Sequence, residues 1–345
     1  MADGQKKKMV TQLKTLTLSE LIQKFLRSRA DLSPATQDYY RTLLANLGWY
    51  ARSQGWPEAS AITRDHIRDF LEYVSTESFR WPGMRRCSLR QARPGTVHHY
   101  GKVIKTLFNW AEEEEYLDHN PSRHLRLGRP HYKEVEPYSD EEVRAMLSVC
   151  DYDCVHRYRF LGIRNKAIIS LLADTGLRVS ELGALRLSDL DPKLRQVRVM
   201  GKGAKLRVVP LNGEARKALK HYLEVRPEGD ELWRTDDGEP MSTYSIKIMI
   251  SRLKRRAGVV TGGGAHRLRH YFATRYLEAG GDINSLRLLL GHATLNMVLR
   301  YSRCVDGQRA VAEHHQFSPL DRLYNGGRNH NDGWGWRLTP EKRPH

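Results

Sequence analysis

Cysteine is scarce in this chain: there are four in 345 residues, Cys87, Cys150, Cys154 and Cys304. They are too few and too scattered to staple a chain of this length, which excludes a disulfide-built scaffold and suits a reducing, intracellular compartment. Cys150 and Cys154, with His156 nearby, lack a second ligand pair at zinc spacing and read as small apolar residues near a helix end. Long apolar runs are missing too. Nothing approaches the roughly 20 residues that span a bilayer, and Lys6, Lys7 and Lys8 are followed by no apolar signal core, so neither secretion nor membrane insertion is expected. Glycine and proline are unexceptional at 27 and 14, with no periodic low-complexity tract, which excludes a fibrous or wholly disordered chain. Negative charge is in short supply. Against 57 Lys and Arg stand 40 Asp and Glu, a net charge of +17. Such an excess on a folded protein favours a polyanionic partner through Coulomb attraction and counterion release. Nucleic acid leads, because an anionic membrane surface would require an amphipathic anchor that is not there.

The length exceeds one average domain of roughly 100 to 200 residues, so two are expected. In the first half, apolar residues recur at helical spacing in four blocks. Leu18, Leu21, Ile22, Phe25 and Leu26 form the first. Ser33 before Pro34 caps a second, with Tyr40, Leu43, Leu44 and Leu47 on one face. Thr63 caps a third, with Ile67, Phe70, Leu71 and Val74. Thr96 opens a fourth, with a wide apolar stripe from Val97 to Ala111, ending in Glu112 to Glu115 and stopped by Asn120-Pro121. The expectation is an all-α bundle over 15–121. Between its third and fourth helices, Ser78 to Gly95 carries Arg80, Arg85, Arg86, Arg90 and Arg93 among Trp81, Pro82, Gly83 and Pro94. No regular element fits it; it reads either as a solvated loop or as a phosphate-contacting arm.

A basic, proline-bearing linker is expected over 122–137 and a second domain over 138–317. Ser139 and Glu142 form a capping box for a helix through Cys150. Helices are predicted over Phe160 to Ala173, Ser180 to Leu185, Gly213 to Val225, Thr243 to Ala257, His266 to Ala279, Ile283 to Leu290 and Leu295 to Arg303. Gln196 to Met200 and Leu206 to Pro210 are β-branched and alternating, and Gly201 to Ala204 between them marks a hairpin tip. The second domain is therefore α+β, mostly helical with a small antiparallel sheet. The stretch 318–345, rich in Gly, Asn and Trp, reads as a mobile tail.

The chemistry-bearing words all fall in the second domain: T-G-L-R ending at Arg178, G-K-G around Lys202, H-R-L-R-H from His266 to His270, L-G-H ending at His292, and Tyr301. No acidic cluster at metal-ligand spacing and no G-x-x-x-x-G-K-[ST] loop accompanies them, so neither a metal nor a nucleotide cofactor is expected. Phosphoryl transfer without metal fits these ingredients. Attack on a phosphodiester concentrates negative charge on its non-bridging oxygens, which calls for planar donors that keep their protons, and Arg178 and Arg269 supply that fork. Lys202 can protonate a leaving alkoxide, while His266 and His292 can hold or move protons near neutrality. The phenol of Tyr301 is a poor nucleophile alone, but neighbouring guanidinium charge lowers the cost of phenolate.

T-G-L-R-V-S-E-L at Thr175 to Leu182, G-K-G-A-K-L-R-V-V-P at Gly201 to Pro210, H-R-L-R-H, L-G-H and the tyrosine nine residues later together resemble the tyrosine recombinases of the phage-integrase type, over about Tyr138 to Phe317. The first domain is similar to that family's helical, SAM-like core-binding domain. The resemblance implies that Arg178 and Arg269 clamp the scissile phosphate, Lys202 protonates the 5′-hydroxyl leaving group, His266 transfers a proton, His292 hydrogen-bonds the phosphate and Tyr301 forms a 3′-phosphotyrosine. It implies a supporting role for Glu181. It further implies a cytoplasmic, DNA-associated enzyme without a cofactor, monomeric when free. On double-stranded recombination sites, four copies would assemble around two duplexes to integrate, excise or resolve a mobile element. A type IB topoisomerase, which shares this chemistry but only relaxes supercoils, and a non-catalytic DNA-binding regulator stand as alternatives.

Overall fold

The computed structural model describes residues 16–84, 87–128, 130, 136–201 and 206–291. The chain divides into two compact units, Met1–Glu134 and Val135–His345.

In the first unit four helices, α1 (Leu18–Ser28), α2 (Pro34–Ser53), α3 (Arg64–Thr76) and α4 (Pro94–Glu113), enclose a core that includes Leu21, Phe25, Leu44, Leu47, Ile67, Phe70, Ile104, Leu107 and Phe108. The hydroxyls of Ser33 and Thr63 cap α2 and α3 by accepting backbone N–H bonds. Helix α4 differs from its predicted bounds at both ends. It starts at Pro94, whose fixed φ suits a first turn, rather than at Thr96. It stops at Glu113, well before Asn120-Pro121. Glu112 to Glu115 crowd four carboxylates against the negative end of the helix dipole, and the chain escapes at Glu115 with φ +60°. Tyr116 N–H then closes back on the carbonyl of Ala111 at 2.8 Å.

The arginine-bearing loop is less solvated than its composition suggests. Arg80 and Ser88 exchange backbone hydrogen bonds of 2.9 Å in an antiparallel bridge. Trp81 is buried at 3% exposure with its ring edge-on to Trp49 at 5.8 Å and to Tyr73 at 5.5 Å. It holds φ +63°, a conformation costing a bulky L-residue about 1–2 kcal/mol. Burial of an indole, worth about 3–5 kcal/mol, outweighs that.

The second unit is mostly helical: α5 (Asp140–Val155), α6 (Arg159–Thr175), α7 (Val179–Gly183), α8 (Gly213–Val225), α9 (Thr243–Arg256), α10 (Ala265–Glu278) and α11 (Ile283–Leu290). The strands β1 (Gln196–Met200) and β2 (Leu206–Pro210) pair antiparallel with Val197 opposite Val209 and Met200 opposite Leu206. Val197, Val199 and Val209 turn inward onto the core, as their alternation requires. Cys150 is buried there, its thiol pushed up to about 12 by desolvation first and by neighbouring carboxylates second, so it stays protonated. A smaller cluster of Ala273, Leu277, Leu286 and Leu290 fastens α11 to α10. Among the described residues, no helix is long and apolar enough to cross a membrane. The predicted helix over Leu295 to Arg303 and the tail at 318–345 lie outside the described residues.

Candidate active site

The site is assembled from two glycine turns and one buried carboxylate. Helix α6 ends at Gly176, left-handed at φ +60°, with its N–H on the carbonyl of Leu172 at 3.1 Å. A side chain there would be strained by that φ and would also meet Phe272, since an added Cβ would stand 2.4 Å from its ring. The turn drops Leu177 into the core and delivers Arg178 to the N-cap of α7.

Glu181, three residues on, faces back. Its carboxylate accepts the backbone N–H of Arg178 at 2.8 Å and the Arg178 Nη1 at 2.7 Å. The Glu181 side chain is 6% exposed and that of Arg178 is 31% exposed, so the pair points the guanidinium outward from a buried base. Nε and Nη2 of Arg178 make no hydrogen bond among the described residues. The same carboxylate is gripped from β2: Arg207 donates Nη1 to Oε1 at 3.0 Å and Nη2 to Oε2 at 2.8 Å. Burial alone would raise the Glu181 carboxyl, but the bonds from Arg207 and Arg178 outweigh it and bring it down to about 2.

Arg269 comes from α10. Its side chain is 1% exposed, with Nη1 at 4.0 Å from Glu181 Oε2. Nη1 donates to the carbonyl of Gly176 and Nη2 to that of Leu290, each at 2.8 Å. One guanidinium thus ties the T-G-L-R turn to the L-G-H turn, whose glycine, Gly291, is left-handed at φ +65°. His266 opens the same helix. It is exposed at the start of the helix, yet partial desolvation first, and the charges of Arg269 and Arg178 after it, hold its imidazole below the ordinary range. A neutral ring at pH 7 follows, able to accept a proton.

The predicted residues are therefore gathered in part. Arg178, Glu181, His266 and Arg269 share one site. Lys202, His292 and Tyr301 lie outside the described residues; Lys202 falls between β1 and β2, and His292 directly follows Gly291. In the first unit, Arg80 is not the outward phosphate contact that the loop's composition suggested. It is 5% exposed and donates Nη1 to the carbonyl of Glu77 and Nη2 to Ser88 Oγ. Arg90 and Arg93 are exposed, and Arg85 and Arg86 lie outside the described residues. A separate basic cleft of about 660 Å³ opens among Arg64, Arg68, Lys105, Arg123 and Arg126. Sequence reasoning passed over Arg207. Its signal was available: it shares the inward phase of β2 with Val209, where a charged residue demands a buried partner.

Comparison with known proteins follows the same division. The profile described as the Phage integrase family matches residues 138–307, and that of the Phage integrase SAM-like domain matches 17–127. The tyrosine recombinase XerD of Ralstonia nicotianae is 32% identical over 65% of this chain and 73% of its own length. This chain belongs to the phage integrase family of tyrosine recombinases. Tyrosine recombinase XerC 2 of the same organism is 38% identical, over 63% of this chain and 64% of that protein. The XerC of Shewanella amazonensis is 29% identical over 80% and 87%. The fold is also that of the integrase of transposon Tn1549 in complex with a circular intermediate DNA, at TM-score 0.68 and 19% identity over 88% of this chain and all of that one. A lambda integrase dimer bound to a core site gives TM-score 0.64 at 18% identity, over 82% of this chain and 97% of that one. The recombinase fold thus extends over both units, and the arginine and carboxylate words of the second unit sit inside the family match.

Proposed function

We propose that this chain cleaves and rejoins DNA at specific sites through a 3′-phosphotyrosine on Tyr301, with 138–317 as the catalytic domain, 15–121 as the DNA-holding helical domain and 122–137 as their linker. The observation that carries the reading is the convergence of Arg178 and Arg269 on the single carboxylate of Glu181, which sets two guanidinium groups in one place from distant parts of the chain. In the reaction, the phenolic oxygen of Tyr301 bonds to the scissile phosphorus and His266, neutral, takes the phenol's proton. The arginines stabilise the charge growing on the non-bridging oxygens, and His292 adds a hydrogen bond. The bond to the 5′ oxygen breaks, and Lys202 gives that oxygen a proton. The free 5′-hydroxyl of one strand then attacks the phosphotyrosine of another, releasing Tyr301. Each step exchanges one phosphoester for another, so no nucleotide hydrolysis is consumed.

Four copies of the chain, monomeric when free, would hold two duplexes in the cytoplasm and join strands between them, in service of a mobile element. The relatives are named recombinases, and DNA relaxation alone or non-catalytic regulation is not favoured. The test is a nicked duplex bearing the sequence that the chain selects from a random DNA pool. Tyr301→Phe should form no covalent adduct while binding the duplex within about threefold of the unaltered chain, because only the nucleophilic oxygen is gone. An adduct persisting in Tyr301→Phe reassigns the nucleophile. Lys202→Ala should cleave poorly unless the leaving oxygen is replaced by sulfur, which departs without a proton donor.

A further inference from the structure

We propose that Arg207 is a positioning residue that, by satisfying the remainder of Glu181, leaves the fork of Arg178 available to the scissile phosphate and Arg269 on its two carbonyls. The inference rests on the cleavage reading above and deepens it. Arg207 touches three parts of the site at once. Its Nη1 and Nη2 form the bidentate pair with Glu181 at 3.0 and 2.8 Å. Its Nε donates at 2.9 Å to the carbonyl of Leu289, one of the carbonyls that the end of α11 leaves without a helical partner. Gly291 lies against it closely enough that a Cβ there would come 3.0 Å from Nη1. A strand, a five-residue helix and the end of another helix are thereby joined by one nearly buried side chain, 12% exposed.

The carboxylate it serves is shared. Glu181 Oε1 accepts from Arg178 and Arg207, and Oε2 accepts from the Arg178 backbone and Arg207, with Arg269 4.0 Å away. A buried carboxylate deprived of half its donors draws in the nearest cations that remain. Here those are Arg178 and Arg269. A guanidinium folded onto Glu181 has less of its fork left for phosphate oxygens, so losing Arg207 weakens the phosphate clamp without removing either of its arms. Lysine at 207 would keep the charge but could not make the paired bonds to Glu181 together with the third to Leu289.

The experiment compares full-length Arg207→Met with the unaltered chain on nicked duplexes of the selected sequence. One carries the natural scissile phosphate, mapped from the adduct of the unaltered chain, and the other an uncharged methylphosphonate at that position. Adduct formation on phosphate should fall about a hundredfold, the scale on which one charge-stabilising donor registers. On methylphosphonate the deficit should shrink to less than about tenfold, because that centre needs less charge neutralisation. Equal deficits on both substrates would reduce Arg207 to a structural strut, and no deficit would remove its role. Arg207→Lys, expected to show the same pattern, is the variant measured if Arg207→Met does not fold. Absence of any adduct from the unaltered chain overturns the cleavage reading and this inference with it. An adduct from the unaltered chain beside undiminished Arg207 variants overturns the positioning role alone.

Discussion

Arg269 donates to the carbonyl of Gly176 at 2.8 Å across 93 residues of sequence. That bond places a permanent cation beneath the turn that presents Arg178, and its second arm reaches the carbonyl of Leu290 just before the L-G-H turn. The guanidinium is 1% exposed in this structure, so its planar donors also knit the site together.

Glu181 should make stability depend on acid. Its carboxyl is held near 2 in the folded chain against an ordinary 4.5, so the folded state binds its proton more weakly than the unfolded state does. The resulting stabilisation is fully present above about pH 4.5 and is lost as the pH falls toward about 2. From the width of that shift it amounts to at most about 3 kcal/mol. Urea unfolding from pH 6 to pH 2.5 should show the unaltered chain losing its advantage over Glu181→Gln within this window. Parallel curves for the two proteins would mean that the carboxyl titrates normally.

The His266 imidazole should titrate below the ordinary 6.5, because burial and the charges of Arg269 and Arg178 all disfavour its protonated form. NMR of the labelled ring in the DNA-free protein measures the midpoint directly. Arg178→Met should move it upward by removing one of the two positive neighbours. A midpoint above 6.5 in the unaltered chain would contradict the neutral, proton-accepting ring used in the mechanism.

The arginine loop should separate into two kinds of residue. Arg80, spent on Glu77 and Ser88 inside the loop, should lower the unfolding temperature when changed to alanine and leave the salt dependence of DNA binding unchanged. Arg90 and Arg93, both exposed, should each flatten the plot of log affinity against log salt by about 0.9 when replaced, as expected for one phosphate contact apiece. Slopes identical to that of the unaltered protein would return both arginines to the solvent.

Much of the fold was legible because local chemistry and tertiary packing agree. The two strands occupy the predicted residues, since alternating β-branched side chains flanked by Gly201 permit little else. Ser33, Thr63 and Ser139 cap the helices they were expected to cap. Failures came at turns whose backbone conformation residue type alone does not set. The end of α4 depended on crowded carboxylates and a left-handed Glu115, and the direction of Arg80 depended on a bridge to Ser88.

Amino-acid order alone determined the charge, the two-part organisation, the turns at Gly176 and Gly291 and the reactive residue types, because each follows from composition, from the order of blocks or from the backbone freedom of a short segment. Folding in three dimensions decided which guanidinium groups share one carboxylate. Motifs single out Arg178 and Arg269, but that these two share Glu181 with Arg207 is set only by how the chain packs α7, β2 and α10 around it, where a buried charge must find its partners across long stretches of sequence.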